Sequence, residues 1–455
     1  MAPESVSIVQ GRPANEVPYT LDEAPPRVLS FWDQSAFWAN LGVSLLAFTG
    51  AYTVLAPGAD GKPGLSIEAG ITAMIVGTVI GGLMLGLAAV PGARTGAPAM
   101  VLLRGLFGTR LSYLPTVLNI AQLVGWGTFE LITIAAAAKE VFAEGPAWLH
   151  APRWLFVIAA GLLTTLLTIW PLGSVRLLRR FVTVAVVISL GYFYVQFLRQ
   201  GVPDLGQGSW SRFWVGADAA LAVSISWVPV AADYTRHSRS AKAAFGAASV
   251  AYSVTQIVAY VLGLFALALA TTDNLYTPFL HVALGAVFLG VFVLREVDQS
   301  FANVYSTAVS IQNLFPRWDR RILTVALGAL ITGAALLLKD MNSYFGFLGL
   351  IGSVFVPMLG VLVADFFLLG RGRAWNLDRA APSRWGMIVA WLIGFAVYQL
   401  IHPSDIGWWS KGWIKIQGWL HFTPADWMSA SLLSFAVSVL AAYLIGVLVR
   451  RRDAA

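Results

Sequence analysis

"HVALGAVFLGVFVLREVDQSFANVYSTAVSIQNLF" occupies residues 281–315. It opens as an apolar run and then carries Arg295, Glu296, Asp298, Gln299 and Asn303 before the apolar pattern resumes. Three ionisable side chains stand where the middle of a helix is expected. Whether this helix lies in water or in lipid decides the fold, and the rest of the chain answers that. Of 455 residues, 58% are hydrophobic and 12% charged, and the mean hydropathy is +0.72. Soluble domains carry about 25% charged residues. Length alone would allow about three soluble domains, but the apolar runs are too continuous for that. The composition describes an all-α polytopic membrane protein with one transmembrane domain over 29–450.

The formal net charge of +7 does not point to nucleic acid, because the basic residues sit in short loops between apolar runs. Cysteine is absent, which excludes a disulfide framework, a thiolate metal site and a cysteine nucleophile. Residues 1–28 are polar and proline-containing and lack the charged-then-apolar pattern of a signal peptide. They are expected to form a cytoplasmic tail, as are residues 451–455.

A helix needs about 20 mostly apolar residues to cross the roughly 30 Å hydrocarbon core. Twelve stretches qualify: 32–56, 67–90, 111–137, 154–171, 178–199, 214–233, 245–271, 282–309, 322–339, 343–369, 385–401 and 428–449. Alternate loops test the count through their basic residues. With a cytoplasmic N-terminus, every inside loop carries at least three Lys or Arg, such as Arg94, Arg104 and Arg110, or Arg450, Arg451 and Arg452. No outside loop carries more than two. The expectation is twelve spans in a cell membrane with both termini cytoplasmic. Trp408, Trp409, Trp413 and Trp419 crowd the last outside loop and suit a membrane interface. Gly77, Gly81, Gly82 and Gly86 suit close helix packing in the second span.

Polar residues concentrate in four spans. The first, "FWANLGVSLLAFTGAY", has Asn40, Gly42 and Ser44 at its centre. The third places Gln122, Trp126 and Glu130 at i, i+4 and i+8, on one face. An amide, an indole and a carboxylate on one stripe can stack on a planar ring and hydrogen-bond its edge. An acid inside a membrane is costly and usually functional; the plainer reading pairs Glu130 with a basic group and makes Trp126 packing. The sixth span has Ser224, Ser226, Trp227 and then Pro229, which lacks an N–H and frees a carbonyl one turn earlier. Such freed groups persist in lipid only where protein or a water-lined cavity satisfies them. The eighth span is the opening stretch. Two interrupted spans five apart suggest two five-helix repeats, about 32–199 and 214–369, around a midplane site. Two further helices would follow over about 385–449.

At these residues the chain resembles the nucleobase–cation symporter (NCS1, purine–cytosine permease) family. "GARTGAPAMVLLRGLFGTRLSYLPTVLNIAQLVGW", "SWVPVAADYTR", "NVYSTAVSIQNL" and "FLGLIGSVFVPMLGVLVADFFLLGR" are similar to family segments in the same order. "WANLGVSLLAFTGAYTVLAP" looks most like the cytosine and hydroxymethylpyrimidine permease branch. The resemblance implies a LeuT-like fold of two inverted repeats plus two helices, working by alternating access. It implies a flat heterocycle held between Trp126 and Trp227, with Glu130 reading the ring edge where an amide is usual, and Asn303 also in contact. Gln122, Gly42, Ser44 and Ser226 complete the expected substrate set. Sodium-coupled members carry hydroxyl residues about four and five positions before the Asn303 position, facing carbonyls of the first span. Here those positions are Gln299 and Asp298. A sodium site near Ala39, Gly42, Asp298 and Gln299 would therefore lack its hydroxyls.

Three readings of the ionisable cluster follow. Arg295 can reach Asp298 at i+3 or Gln299 at i+4, so a structural ion pair of Arg295 with Asp298 or Glu296 is one. Proton coupling through Asp298 or Glu296 is another, since burial and a nearby Arg act on a carboxylate in opposite directions. Sodium bound by the Asp298 carboxylate is the third. The overall expectation is a carrier with no cofactor beyond its coupling ion, H+ rather than Na+. It imports cytosine or a related pyrimidine across the bilayer; a monomer is compatible with this, and the sequence sets no oligomeric state. The alternative cargo is a hydantoin, allantoin or a vitamin precursor such as hydroxymethylpyrimidine, with Na+. A membrane-embedded enzyme is disfavoured, because His150, His237, His281, His402 and His421 all lie in or near loops and no catalytic constellation gathers.

Overall fold

The computed structural model describes residues 17–21, 23–48, 64–173, 181–201, 204–206, 208–269, 276–338, 344–404 and 406–454. Among these residues the regular structure is helical, apart from isolated bridges between Leu29 and Ser238 and between Leu65 and Ser209. In chain order the main helices are α1 (Phe31–Gly42), α2 (Ile67–Thr95), α3 (Ala99–Phe107), α4 (Thr109–Ala143) and α5 (Arg153–Ile169). Then come α6 (Val182–Gln200), α7 (Phe213–Ile225), α8 (Ala231–Thr235) and α9 (Ala241–Leu269). The chain continues with α10 (Gly285–Leu314), α11 (Arg320–Leu337), α12 (Tyr344–Val363), α13 (Trp385–Ile401), α14 (Gly407–Trp419) and α15 (Ala430–Ala454).

Among the described residues, eight helical stretches are long and apolar enough to cross a membrane, with α7 through α8 as one of them; α5 and α13 are shorter apolar helices, and α1 and α10 fall in neither group. The first expected span reduces to α1, a break at 43–44 and a helical turn over 45–48, and its remainder, 49–56, lies outside the described residues. The eighth span is α10, 30 residues long. Two helices were not expected. The first is α3, in the loop before the third span. The second is α14, which lays the last tryptophans out with Trp408 and Trp419 exposed, as an interfacial helix does.

The buried centre is built from α2 against α7 and α4 against α10, with α12 packed beside α7. The outer helices show large apolar side chains outward, such as Leu162 and Leu166 on α5, Val187 and Ile188 on α6, Ile322 and Val325 on α11, and Leu440 and Leu444 on α15. In water such a surface would be a sticky patch; against lipid tails it is the expected face. Helix starts follow local chemistry. Ser30 and Asp33 form a capping box on α1, Ser66 caps α2, and Asp319 caps α11. Gly96 ends α2 in the left-handed region, with φ at 77°.

The second-span glycines seat α2 on its neighbours. A Cβ on Gly77 would overlap the Ala217 backbone, and one on Gly82 would overlap the Ser253 hydroxyl. Gly77→Leu is therefore expected to lower unfolding stability by about 3 kcal/mol. Gly191→Leu, on α6 where nothing lies within 4 Å, should leave it unchanged. Thermal unfolding of both variants in detergent checks the contrast.

The N-terminal segment is no loose tail over its described part. The Tyr19 carbonyl accepts from Gln312 Nε2 at 2.7 Å and from Arg320 N at 2.9 Å. Leu29 N donates to His237 O at 2.9 Å. Residues 17–29 thus strap the ends of α8, α10 and α11 together.

Candidate functional site

Two helix breaks and two intact helices make the site. α1 stops at Gly42, Val43 is extended, and helix resumes at Leu45. Gly42 is required where it is, because a Cβ there would overlap the Thr255 hydroxyl and the Tyr252 carbonyl of α9. A broken helix leaves carbonyls at one end and N–H groups at the other, with partial charges of opposite sign. Both ends are answered by adjacent residues of α10. Arg295 Nη2 donates to the Asn40 carbonyl, at the end of α1. The Glu296 carboxylate accepts from Ser44 Oγ at 2.6 Å and from Leu45 N at 2.9 Å, at the restart. That is why the α10 sequence carries charge at its centre: cation and anion lie on the two halves of a neighbour's break.

The sixth span breaks as Pro229 demands. α7 ends at Ile225, a turn runs through Ser226 and Trp227, and a 3-10 turn over Val228–Val230 leads into α8. The Ser226 carbonyl accepts from Gln122 Nε2 at 3.3 Å, and the same nitrogen reaches Asn119 Oδ1 at 2.8 Å. Gln122 thus braces the second break.

On α4, Glu130 is wholly buried and accepts from Gln299 Nε2 at 3.1 Å and Asn303 Nδ2 at 2.6 Å. Gln299 Oε1 in turn accepts from Arg295 Nη2 at 2.9 Å. One chain of hydrogen bonds therefore runs from the α1 break through Arg295 and Gln299 to Glu130 and on to Asn303. Asn303 gives one of its two N–H bonds to Glu130, and its amide carbonyl can accept from a ligand.

A cavity of about 20 Å³, counted as room for the centre of a water molecule, lies where these elements meet. Its lining includes Trp126, Trp227, Asn303, Gly42, Ser44 and Ser226 from the expected substrate set, together with Gln299. Glu130 and Gln122 are not in the lining. Glu130 stands outside the lining and accepts from Gln299 and Asn303, two amides that do line the cavity. Trp126 packs edge-on against Phe347 at 5.6 Å. The Asp298 side chain lies outside the described residues.

Sequence reasoning placed the seventh span but missed its contribution to the cavity. Tyr252 and Gln256 of α9 line the cavity, and Ser224 Oγ donates to Gln256 Oε1 at 3.2 Å. An amide inside an apolar span was the signal available. It also missed two acids that act as caps: the buried Asp233 accepts from Ala99 N, at the start of α3, at 2.9 Å, and the half-buried Asp218 accepts from Ala430 N, at the start of α15, at 2.8 Å.

The sequence profile of the family described as "Permease for cytosine/purines, uracil, thiamine, allantoin" matches residues 25–401. The cytosine permease of Escherichia coli strain K12 is 24% identical over 344 residues, 73% of this chain and 78% of that protein. The allantoin permease of Bacillus subtilis is 32% identical over 127 residues, 24% of this chain and 26% of that protein. Among solved structures, Mhp1, a nucleobase-cation-symport-1 family transporter in a closed conformation with bromovinylhydantoin bound, superposes with a TM-score of 0.69 at 16% identity, covering 97% of this chain and 95% of that one. A Na+-coupled sialic acid symporter superposes at 0.59 and 12% identity, covering 94% and 92%. The likeness in fold extends over nearly the whole chain and the family profile over most of it: the protein belongs to the nucleobase–cation symporter family of membrane permeases for cytosine, purines, uracil, thiamine and allantoin.

Proposed function

We propose that the chain is a secondary active transporter that imports cytosine or a closely related aminopyrimidine, coupled to a proton rather than to sodium. On this reading it has twelve spans in two inverted five-helix repeats plus two helices, with both termini in the cytoplasm of a cell whose plasma membrane it spans as a monomer. One observation carries the substrate class: Trp126 and Trp227 line the same cavity as Asn303, and the Asn303 N–H is committed to Glu130 at 2.6 Å. Two indoles suit a flat ring. An amide carbonyl offered between them suits a ring edge with N–H donors, which cytosine has in its ring N–H and exocyclic amine. The proton would travel on a carboxylate of the α4–α10 cluster, with Glu296, Asp298 and Glu130 as the candidates.

Allantoin or a hydantoin is the second reading, favoured by the 32% match to an allantoin permease and the likeness in fold to a hydantoin-bound structure. These rings also carry N–H donors, so competition separates the two. In proteoliposomes, labelled cytosine should enter saturably and exchange with internal cytosine. Allantoin and hydantoin should compete at least tenfold less well, and the reverse order would assign the second reading. Trp126→Ala and Trp227→Ala should each weaken every heterocycle by roughly tenfold or more, since stacking is worth about 1–3 kcal/mol per ring. Competition binding on both variants checks this. Unchanged affinity in both would remove the stacked ring.

A further inference from the structure

The described side chains between α1 and α10 do not fit a sodium ion. A sodium ion there would take carbonyl oxygens from the end of α1 and side-chain oxygens from α10. Instead the Arg295 guanidinium donates to the Asn40 carbonyl. Gln299, one of the two expected oxygen donors, is turned away: its Oε1 accepts from Arg295 at 2.9 Å and its Nε2 donates to Glu130 at 3.1 Å. Ser44 Oγ, the hydroxyl at the break, is likewise given to Glu296 at 2.6 Å. Arg295 is 1% exposed, so its charge stays with the protein.

We infer that Arg295 is a built-in cation: it supplies the positive charge that joins the first half of the broken α1 to α10, in place of a sodium ion from solution. The physics is that of any cation at a helix C-terminus, where the terminal carbonyls carry partial negative charge. A permanent guanidinium does this without a binding step, so the junction forms at any sodium concentration. Arg295 also orders Gln299, and through it Glu130 and Asn303. It is thus a positioning residue for the substrate cavity as well as for the break. This deepens the proposed transport function and rests on it for the substrate readout alone.

The test uses the full-length protein purified in detergent, in sodium chloride or in choline chloride at equal ionic strength. Without substrate, the wild-type melting temperature should be the same in both salts at every concentration. With cytosine, apparent affinity should agree within about twofold. Saturable stabilisation of the substrate-free wild type by sodium over choline would overturn the inference. If cytosine binds in neither salt, the proposed substrate fails while the substrate-free titration still decides the role of Arg295. Charge is separated from packing by two variants. Arg295→Lys should retain cytosine affinity within about threefold, and Arg295→Gln should lose about tenfold or more, as hydrogen bonds to charged groups are the stronger ones. Equal affinity in the Lys and Gln variants would show that the charge is not what the junction needs.

Discussion

Glu130→Gln should weaken cytosine by roughly thirtyfold while leaving the protein folded. The carboxylate accepts from both Gln299 Nε2 and Asn303 Nδ2. A glutamine has one acceptor and one donor end, so one of the two amides would face an N–H and would have to turn over or lose its bond. A bound ring that loses its hydrogen bond to the Asn303 carbonyl when that amide turns loses about 2 kcal/mol of binding, which is the thirtyfold. If Asn303 is the amide that turns, the cavity receives an N–H where it had a carbonyl. Donor-edged rings should then suffer most, and a ring with an acceptor at that edge should lose little or gain. Competition binding with cytosine, uracil and hypoxanthine measures the pattern. An equal loss for every ligand would assign Glu130 to folding rather than to substrate choice.

Glu296→Ala should have the larger effect on stability. It removes both acceptor oxygens from the restart of α1, leaving the Ser44 hydroxyl and the Leu45 N–H without the carboxylate that takes them at 2.6 and 2.9 Å. Each buried group left unsatisfied costs about 1–3 kcal/mol, so a loss of roughly 4 kcal/mol is expected. Glu296→Gln keeps one acceptor and should lose about half as much. Thermal unfolding in detergent ranks the three proteins. A Glu296→Ala variant as stable as the wild type would mean that the break in α1 holds without its cap.

What the sequence made legible follows from what its patterns encode. Hydropathy reports which segments are apolar, and each expected span overlaps a described helix, though α1 and α10 are not among those long and apolar enough to cross a membrane. Pro229 and Gly42 encode backbone conditions, and both mark real breaks in the chain. The i, i+4, i+8 stripe on α4 correctly put Gln122, Trp126 and Glu130 on one buried face. Periodicity says which residues share a face, but not what lies across from it. That is why Glu130 was expected to meet a ring and instead meets two amides, and why Gln122 was expected at the cavity and instead braces the Ser226 carbonyl. The same limit hid the role of Arg295 and Glu296. Neighbours in sequence point to different sides of a helix, and only the placement of the α1 break between them reveals that they serve its two ends. Asp218 and Asp233 were passed over for a related reason: the helix starts they cap, Ala430 and Ala99, are far away in the chain. Asp233 and Glu296 each sit where a helix begins, and there N–H groups and the helix dipole favour negative charge.

The central claim is that a flat, donor-edged ring binds between Trp126 and Trp227 against Asn303. The most direct measurement is the thermal stability of the purified protein with cytosine, uracil, adenine, hypoxanthine, hydroxymethylpyrimidine, allantoin and a hydantoin, repeated in Trp126→Ala and Trp227→Ala. A ligand at about 100 times its Kd adds about 2.7 kcal/mol, a readily visible shift. The account predicts a shift with cytosine or hydroxymethylpyrimidine in the wild type that disappears in both tryptophan variants. No shift with any of the seven rings, or a shift that survives in both variants, would contradict it.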